Sequence, residues 1–197
     1  MPYRELNVIQ PQMSTEVLRR AGFDPERLGC QRTTLLEAGF SGFISFGQLV
    51  TGSAAPVESG VYVVLYDCNP TLRFVHPSPA GWFKGEDPTC AEATLRSNWL
   101  PSAPVVYIGK ATSLRDRLRQ FAQFGAGKAI GHRGGRLIWQ LPNPGSLSVA
   151  WRVTPTQNPE AVEAALLRHF FSRFGQAPFA NDPDKGGLLK RSRHCSD

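Results

Sequence analysis

Pro104-Val105-Val106-Tyr107-Ile108-Gly109-Lys110-Ala111-Thr112-Ser113-Leu114-Arg115-Asp116-Arg117-Leu118-Arg119-Gln120-Phe121 joins two kinds of pattern without a break. Its first part is β-branched and aromatic, which predicts a buried strand from Pro104 to Gly109. In its second part Ser113 stands three residues before Asp116, the serine-x-x-acid form of a helix N-terminus. Leu114, Leu118 and Phe121 then recur at helical spacing, with Arg115 and Arg119 off the apolar stripe, so a helix is expected over Thr112–Phe121.

Working outward, Gly60-Val61-Tyr62-Val63-Val64-Leu65-Tyr66 reads as a second strand of the same composition. Asp67 to Pro70 is turn chemistry, and Leu72-Arg73-Phe74-Val75 is expected to pair back as a hairpin. His76 to Pro88, rich in Pro and Gly, reads as loop, and Thr89 to Trp99 as a helix stopped by Pro101. Gly125 to Gly135 is a glycine-rich, basic loop, mobile by composition. Beyond it, Arg136–Leu141 and Leu147–Val153 are expected as two strands joined by a Pro-Asn-Pro-Gly turn. Asn158-Pro159 opens a helix running to about Phe174 and ending at Gly175, and Pro178–Asn181 is a fixed turn. The fold class that follows is α/β, of the α+β kind: a small, mainly antiparallel sheet of about three to five strands flanked by helices.

Residues 1–50 read as an N-terminal helical and aromatic extension. It holds a short helix Glu16–Ala21 capped by Ser14 or Thr15, a second helical piece Pro25–Ala38, and a hydrophobic flap of Phe40, Phe43, Ile44 and Phe46. Thr51–Pro56 is a linker or loop, and residues 182–197 are a basic, flexible tail.

The chain has 197 residues, 41% of them hydrophobic, enough for one ordinary core. It has no apolar run of membrane-spanning length, and the N-terminus lacks the layout of a secretory leader, so a soluble cytoplasmic protein is expected. Cys30, Cys68, Cys90 and Cys195 form no Cys-x-x-Cys pair, which argues against zinc and for reduced thiols. The net charge is +6, and its distribution is uneven. Lys110, Arg115, Arg117, Arg119, Lys128, Arg133 and Arg136 fall between Pro104 and Arg136, where Asp116 is the only acid. Such a surplus is the footprint of contact with a phosphate backbone, or simply a solvated basic helix face.

Gly60-Val61-Tyr62, followed by Tyr107-Ile108-Gly109-Lys110-Ala111 with Leu114-x-x-Arg117, resembles the GIY-YIG nuclease superfamily. Glu163 with Leu166 and Leu167, and Asn181 after Pro178, extend the likeness over roughly residues 57–181. The stretch 77–102 is then an insertion between the two signature strands, which compact members join by a short hairpin. The resemblance implies a DNA endonuclease using one Mg²⁺ or Mn²⁺ held by Glu163. It implies Tyr62 as general base or water-positioning group, Tyr107 hydrogen-bonded beside it, Arg117 on the phosphate oxygens, Lys110 as a second cation and Asn181 as a brace. Some restriction enzymes of the superfamily place a histidine after the arginine helix, which makes His132 a candidate; a loop histidine bonding backbone is the alternative.

The chemistry is coherent in its own right. Phosphodiester hydrolysis needs a nucleophilic water, a base and positive charge for the transition state. A phenol ionises near ~10, so a tyrosine base needs a cation beside it. A guanidinium suits non-bridging phosphate oxygens, and a hard dication is suited to one carboxylate plus waters and phosphate. Taken singly, Tyr62 and Tyr107 read equally as strand core, Arg117 and Glu163 as solvated helix faces, and Glu160, one turn before Glu163, as a rival ligand. Arg115, Arg119, Lys128, Arg133 and Arg136 are the expected DNA-backbone contacts. The alternative function is a catalytically inactive nucleic-acid-binding module on the same fold. Restriction, mobile-element, repair and defence roles, and a monomer or a homodimer, all stay open.

Overall fold

Gly60–Leu65 forms strand β2, and all six residues are buried, as the unbroken apolar run requires of a strand covered on both faces. In the computed structural model, which describes residues 6–52, 54–66, 72–131 and 134–182, β2 sits inside a four-stranded sheet. It pairs antiparallel with β3 (Val105–Ala111) on one side and with β4 (Ser148–Val153) on the other. Strand β1 (Ser41–Ser45) adds to the far side of β4, giving the order β1-β4-β2-β3 with β3 at one edge.

The six α-helices are α1 (Leu6–Arg20), α2 (Arg32–Glu37), α3 (Phe46–Thr51), α4 (Glu92–Asn98), α5 (Leu114–Gly125) and α6 (Pro159–Phe174) among the described residues. Two of them matter most for the site. The Ser113 side chain caps α5 by accepting from the Asp116 amide and donating to the Asp116 carboxylate at 2.8 Å. Asn158 caps α6, Pro159 opens it, and Gly175 ends it in the left-handed region at φ 73°. One face of the sheet packs Tyr62, Val64 and Tyr107 against Leu114, Leu118 and Phe121 of α5. The other packs Val61, Val63 and Ile108 against α6 and Leu18 of α1.

The N-terminal region is built into these layers. The aromatic segment expected as a flap supplies β1 to the sheet, and α3 drives Phe46 and Leu49 into the same core as Tyr62. The Arg152 guanidinium lies 4.0 Å from the centre of the Phe23 ring and donates to the carbonyls of Ala21, Gly22 and Ala38.

Several expected elements differ. The first helix, expected as Glu16–Ala21 with Ser14 or Thr15 as its cap, begins at Leu6 and carries Ser14 and Thr15 inside it. Arg136–Leu141 is not a strand: Arg136–Gln140 is a 3-10 helix that follows Gly135 at φ 77°. Leu137 to Leu141 are all buried, so the run carries no alternation to separate strand from helical turn. Leu72–Val75 does not form a hairpin with β2; the Val75 amide donates to the Gln140 carbonyl at 2.8 Å instead. The wholly buried Gln140 side chain completes that junction. Its carbonyl accepts from the Cys90 amide at 2.7 Å, and its NH₂ donates to the carbonyls of Cys90 and Val75. Among the described residues no helix is long and apolar enough to cross a membrane. The tail beyond Asp182, expected to be flexible, lies outside the described residues.

Candidate active site

Strand register decides where the tyrosines go. Tyr62 lies opposite Gly109, and Val64 opposite Tyr107, so both phenols share one face of the sheet on a diagonal. Their ring centres are 5.9 Å apart. Gly109 is needed there: a Cβ would come 2.5 Å from Tyr62 Cζ and 2.6 Å from its hydroxyl oxygen. The glycine of Tyr-Ile-Gly is thus the space into which the other strand's tyrosine lies.

Because β3 is an edge strand, helices from both faces of the sheet can meet around it. From α5, Arg117 follows one turn after the Ser113 cap and reaches the cleft half-buried. From α6 on the opposite face comes Glu163, only 4% exposed. Tyr107, Lys110, Arg117 and Glu163 line one cleft of about 540 Å³. Lys110 Nζ is 2.7 Å from the Glu160 carboxylate, on a cleft wall that Ser113 and Gln120 also share. Asn181 lies on the outer edge of β3 and is itself buried. Its side-chain carbonyl accepts from the Ile108 amide at 2.9 Å, and its NH₂ donates to the Ile108 carbonyl at 2.8 Å. It occupies the place of a further strand on β3, one residue from Tyr107.

The two phenols differ electrostatically. Tyr62 is completely buried, and its hydroxyl has no hydrogen bond of ordinary geometry to the protein. Burial pushes its ionisation above the usual phenol range; the nearby Arg117 charge and the hydroxyl of Tyr107 pull it back. Tyr107 is pushed well above that range, first by burial, then by Tyr62 and Glu163. Tyr62 is raised the less of the two, and the Arg117 charge is the main influence opposing its burial. Any phenolate therefore forms on Tyr62, the side nearer Arg117. Tyr107 faces the cleft and Tyr62 sits behind it.

Of the expected set, Tyr107, Lys110, Arg117 and Glu163 line the cleft, Tyr62 lies buried behind Tyr107, and Asn181 is not among the lining residues but braces the edge of β3. Ser113 and Gln120 were missed as cleft residues; Gln120's signal was its place three residues after Arg117 on one helix face. The basic track is more dispersed. Arg115 donates to the Ala55 carbonyl at 3.0 Å, Arg119 pairs with Asp116 at 3.4 Å, and Arg136 turns to Cys90 Sγ at 3.1 Å. Lys128 is exposed, and His132 and Arg133 lie outside the described residues.

A single buried carboxylate on the wall of a polar cleft, facing a guanidinium, fits a hard divalent cation that keeps most of its waters. Among the described residues no cluster of three or more His, Cys, Asp or Glu offers a fuller cage. In comparisons with known proteins, no family model, no curated protein and no solved structure matches this chain.

Proposed function

We propose that this chain is a divalent-metal-dependent nuclease that hydrolyses phosphodiester bonds in DNA. The observation that carries the reading is the meeting of Tyr62, Tyr107, Arg117 and Glu163, from two strands and two helices, around one cleft. Arg117 binds the non-bridging oxygens of the scissile phosphate, where a planar, permanently charged donor is suited to charge that grows in the transition state. The attacking water is held by Tyr107 at the cleft surface. Its proton passes to the Tyr107 oxygen as the Tyr107 proton passes to a Tyr62 phenolate, which Arg117 favours. Glu163 would hold a Mg²⁺ or Mn²⁺, and the bound cation would supply positive charge for the phosphate and the departing oxygen. Lys110, drawn towards Glu160, adds a second positive charge at the rim. Asn181 fixes the edge of β3, so that Tyr107 keeps its direction.

Incubation with double-stranded, branched and single-stranded DNA in Mg²⁺ or Mn²⁺ tests this. Cleavage is expected on at least one substrate, abolished by chelation and by Glu163→Ala or Arg117→Ala. A folded wild-type protein inert on the whole panel would end the proposal. The full burial of Tyr62 favours a second reading, a binding module whose site no longer turns over. Salt-dependent DNA binding without cleavage would select it.

A further inference from the structure

Residues 81–88 of the insertion form a small finger on the far end of α5. Lys84 at φ 52° and Gly85 at φ 77°, with the Glu86 amide donating to the Phe83 carbonyl at 3.1 Å, make a two-residue hairpin turn of the type with both central residues left-handed. The finger is clamped at its base: the Gly81 amide donates to the Phe124 carbonyl at 2.8 Å, and a Cβ on Gly81 would strike the Lys128 carbonyl. Its tip carries Trp82, 57% exposed, beside Phe83, 38% exposed. Large aromatic surface left to water on a braced turn marks a contact surface.

Between finger and α5 lies a cavity of about 310 Å³. Phe83, Phe124 and Pro88 give it apolar walls; Lys84, Arg136, Glu86 and Asp87 give it a polar rim. Two cations against two carboxylates leave that rim without net charge, which suits a neutral, flat group with donors and acceptors on its edge better than a phosphate. A nucleobase has that chemistry: its face stacks on an aromatic ring, guanidinium and ammonium groups meet its acceptors, and carboxylates accept from its amino groups.

The cavity is also tied to the candidate active site. Phe124 and Arg117 lie on one helix seven residues apart, about two turns on the same face and ~10 Å along its axis. A DNA strand running along α5 spans that distance in a few nucleotides. Gly131 of the glycine-rich segment and Arg136 just after it line the cavity, while Gly134 and Gly135 pack against Tyr107; a Cβ on Gly134 would come 2.9 Å from its hydroxyl.

We propose that this cavity takes an unpaired base of the DNA strand, within a few nucleotides of the phosphate at Arg117, so that the insertion reads or grips the strand beside the cut. The inference rests on the nuclease reading for its choice of ligand. The test is equilibrium binding, in the absence of divalent metal, of a fluorescently labelled mixed-sequence single strand and of its abasic counterpart of equal length. Phe83→Ala is expected to weaken binding of the base-bearing strand about ten-fold and to leave the abasic strand unchanged, with Phe83→Tyr restoring wild-type binding. Phe83 is part-exposed at a turn tip, and equal thermal unfolding of wild type and variants shows that the fold is kept. Equal losses on both strands, no loss on either, or a wild type that holds the abasic strand as tightly as the base-bearing one would overturn the proposal. Plasmid cleavage by the same wild type reads the nuclease proposal separately: base discrimination without cleavage leaves the cavity standing and the nuclease fallen, and cleavage without discrimination does the reverse.

Discussion

Arg117 and Tyr62 are coupled by charge, and pH reveals the coupling. Burial raises both phenols above their usual range near ~10, so only a small fraction of Tyr62 is ionised near neutrality. The log of the single-turnover cleavage rate is therefore expected to rise with pH with slope about one from neutral to mildly alkaline conditions. Tyr62→Phe is expected to remove that rise along with roughly 100-fold or more of the rate. Stability runs the other way. A folded-state pKa above the unfolded value gives stability that is complete below the unfolded pKa and is lost as pH climbs towards the folded one. The melting temperature is thus expected to fall above about pH 10, and to fall less in Tyr62→Phe. Cys30, pushed up to about 11 by burial, adds a loss that starts earlier, since an unfolded thiol ionises first. Melting curves of Cys30→Ala across the alkaline range separate the two contributions. At this scale the residues that carry the family resemblance account for most of the candidate cleft, and strand register and helix spacing explain how Tyr62, Gly109, Tyr107 and Arg117 come together. The sequence did not carry the burial of Tyr62 behind Tyr107, which depends on how α5 and the 134–135 segment close over the sheet.

Strand β3 is an edge whose outer side is held by one amide side chain and the turn that carries it. Asn181→Ala leaves the Ile108 amide and carbonyl without that partner, at a cost of about 3 kcal/mol by urea unfolding. Lost cleavage at temperatures where the variant is still folded would point to Tyr107's direction as the cause. Gly109→Ala is a second probe of the same edge: its methyl competes with the Tyr62 ring, and a stability loss of about 1–3 kcal/mol is expected. β2, β3, α5 and α6 were legible because their patterns are unambiguous. β2 and β3 are β-branched, and α5 and α6 carry their own caps. β1 was not, since it is short, paired on one side only, nowhere fully buried, and broken by a register shift between Gly42 and Ile44, with Gly42 and Phe43 both at positive φ. The 3-10 helix at Arg136 was misread because total burial erases the period that would identify it.

For the whole molecule, the N-terminal region and residues 57–181 share their cores: Phe46 and Leu49 lie with Tyr62, and Leu18 and Phe23 with Val61. Deletion of residues 1–51 is accordingly expected to abolish cooperative unfolding, measured by circular dichroism on heating. A linear sequence reading set this region apart because the contacts that bind it to the sheet, such as Arg152 with Ala21, Gly22 and Ala38, span more than a hundred residues. The central claim is that one cleft, assembled from both faces of the sheet, cuts DNA as a unit. Single-turnover cleavage in Mg²⁺ by wild type, Arg117→Ala, Glu163→Gln and the double variant, at equal folded concentration, tests it most directly. Each single variant is expected to lose about 100-fold or more, and the double variant little beyond the worse single one, as groups acting together behave. Wild-type rates in either single variant, or no cleavage by wild type on any DNA substrate, would contradict it.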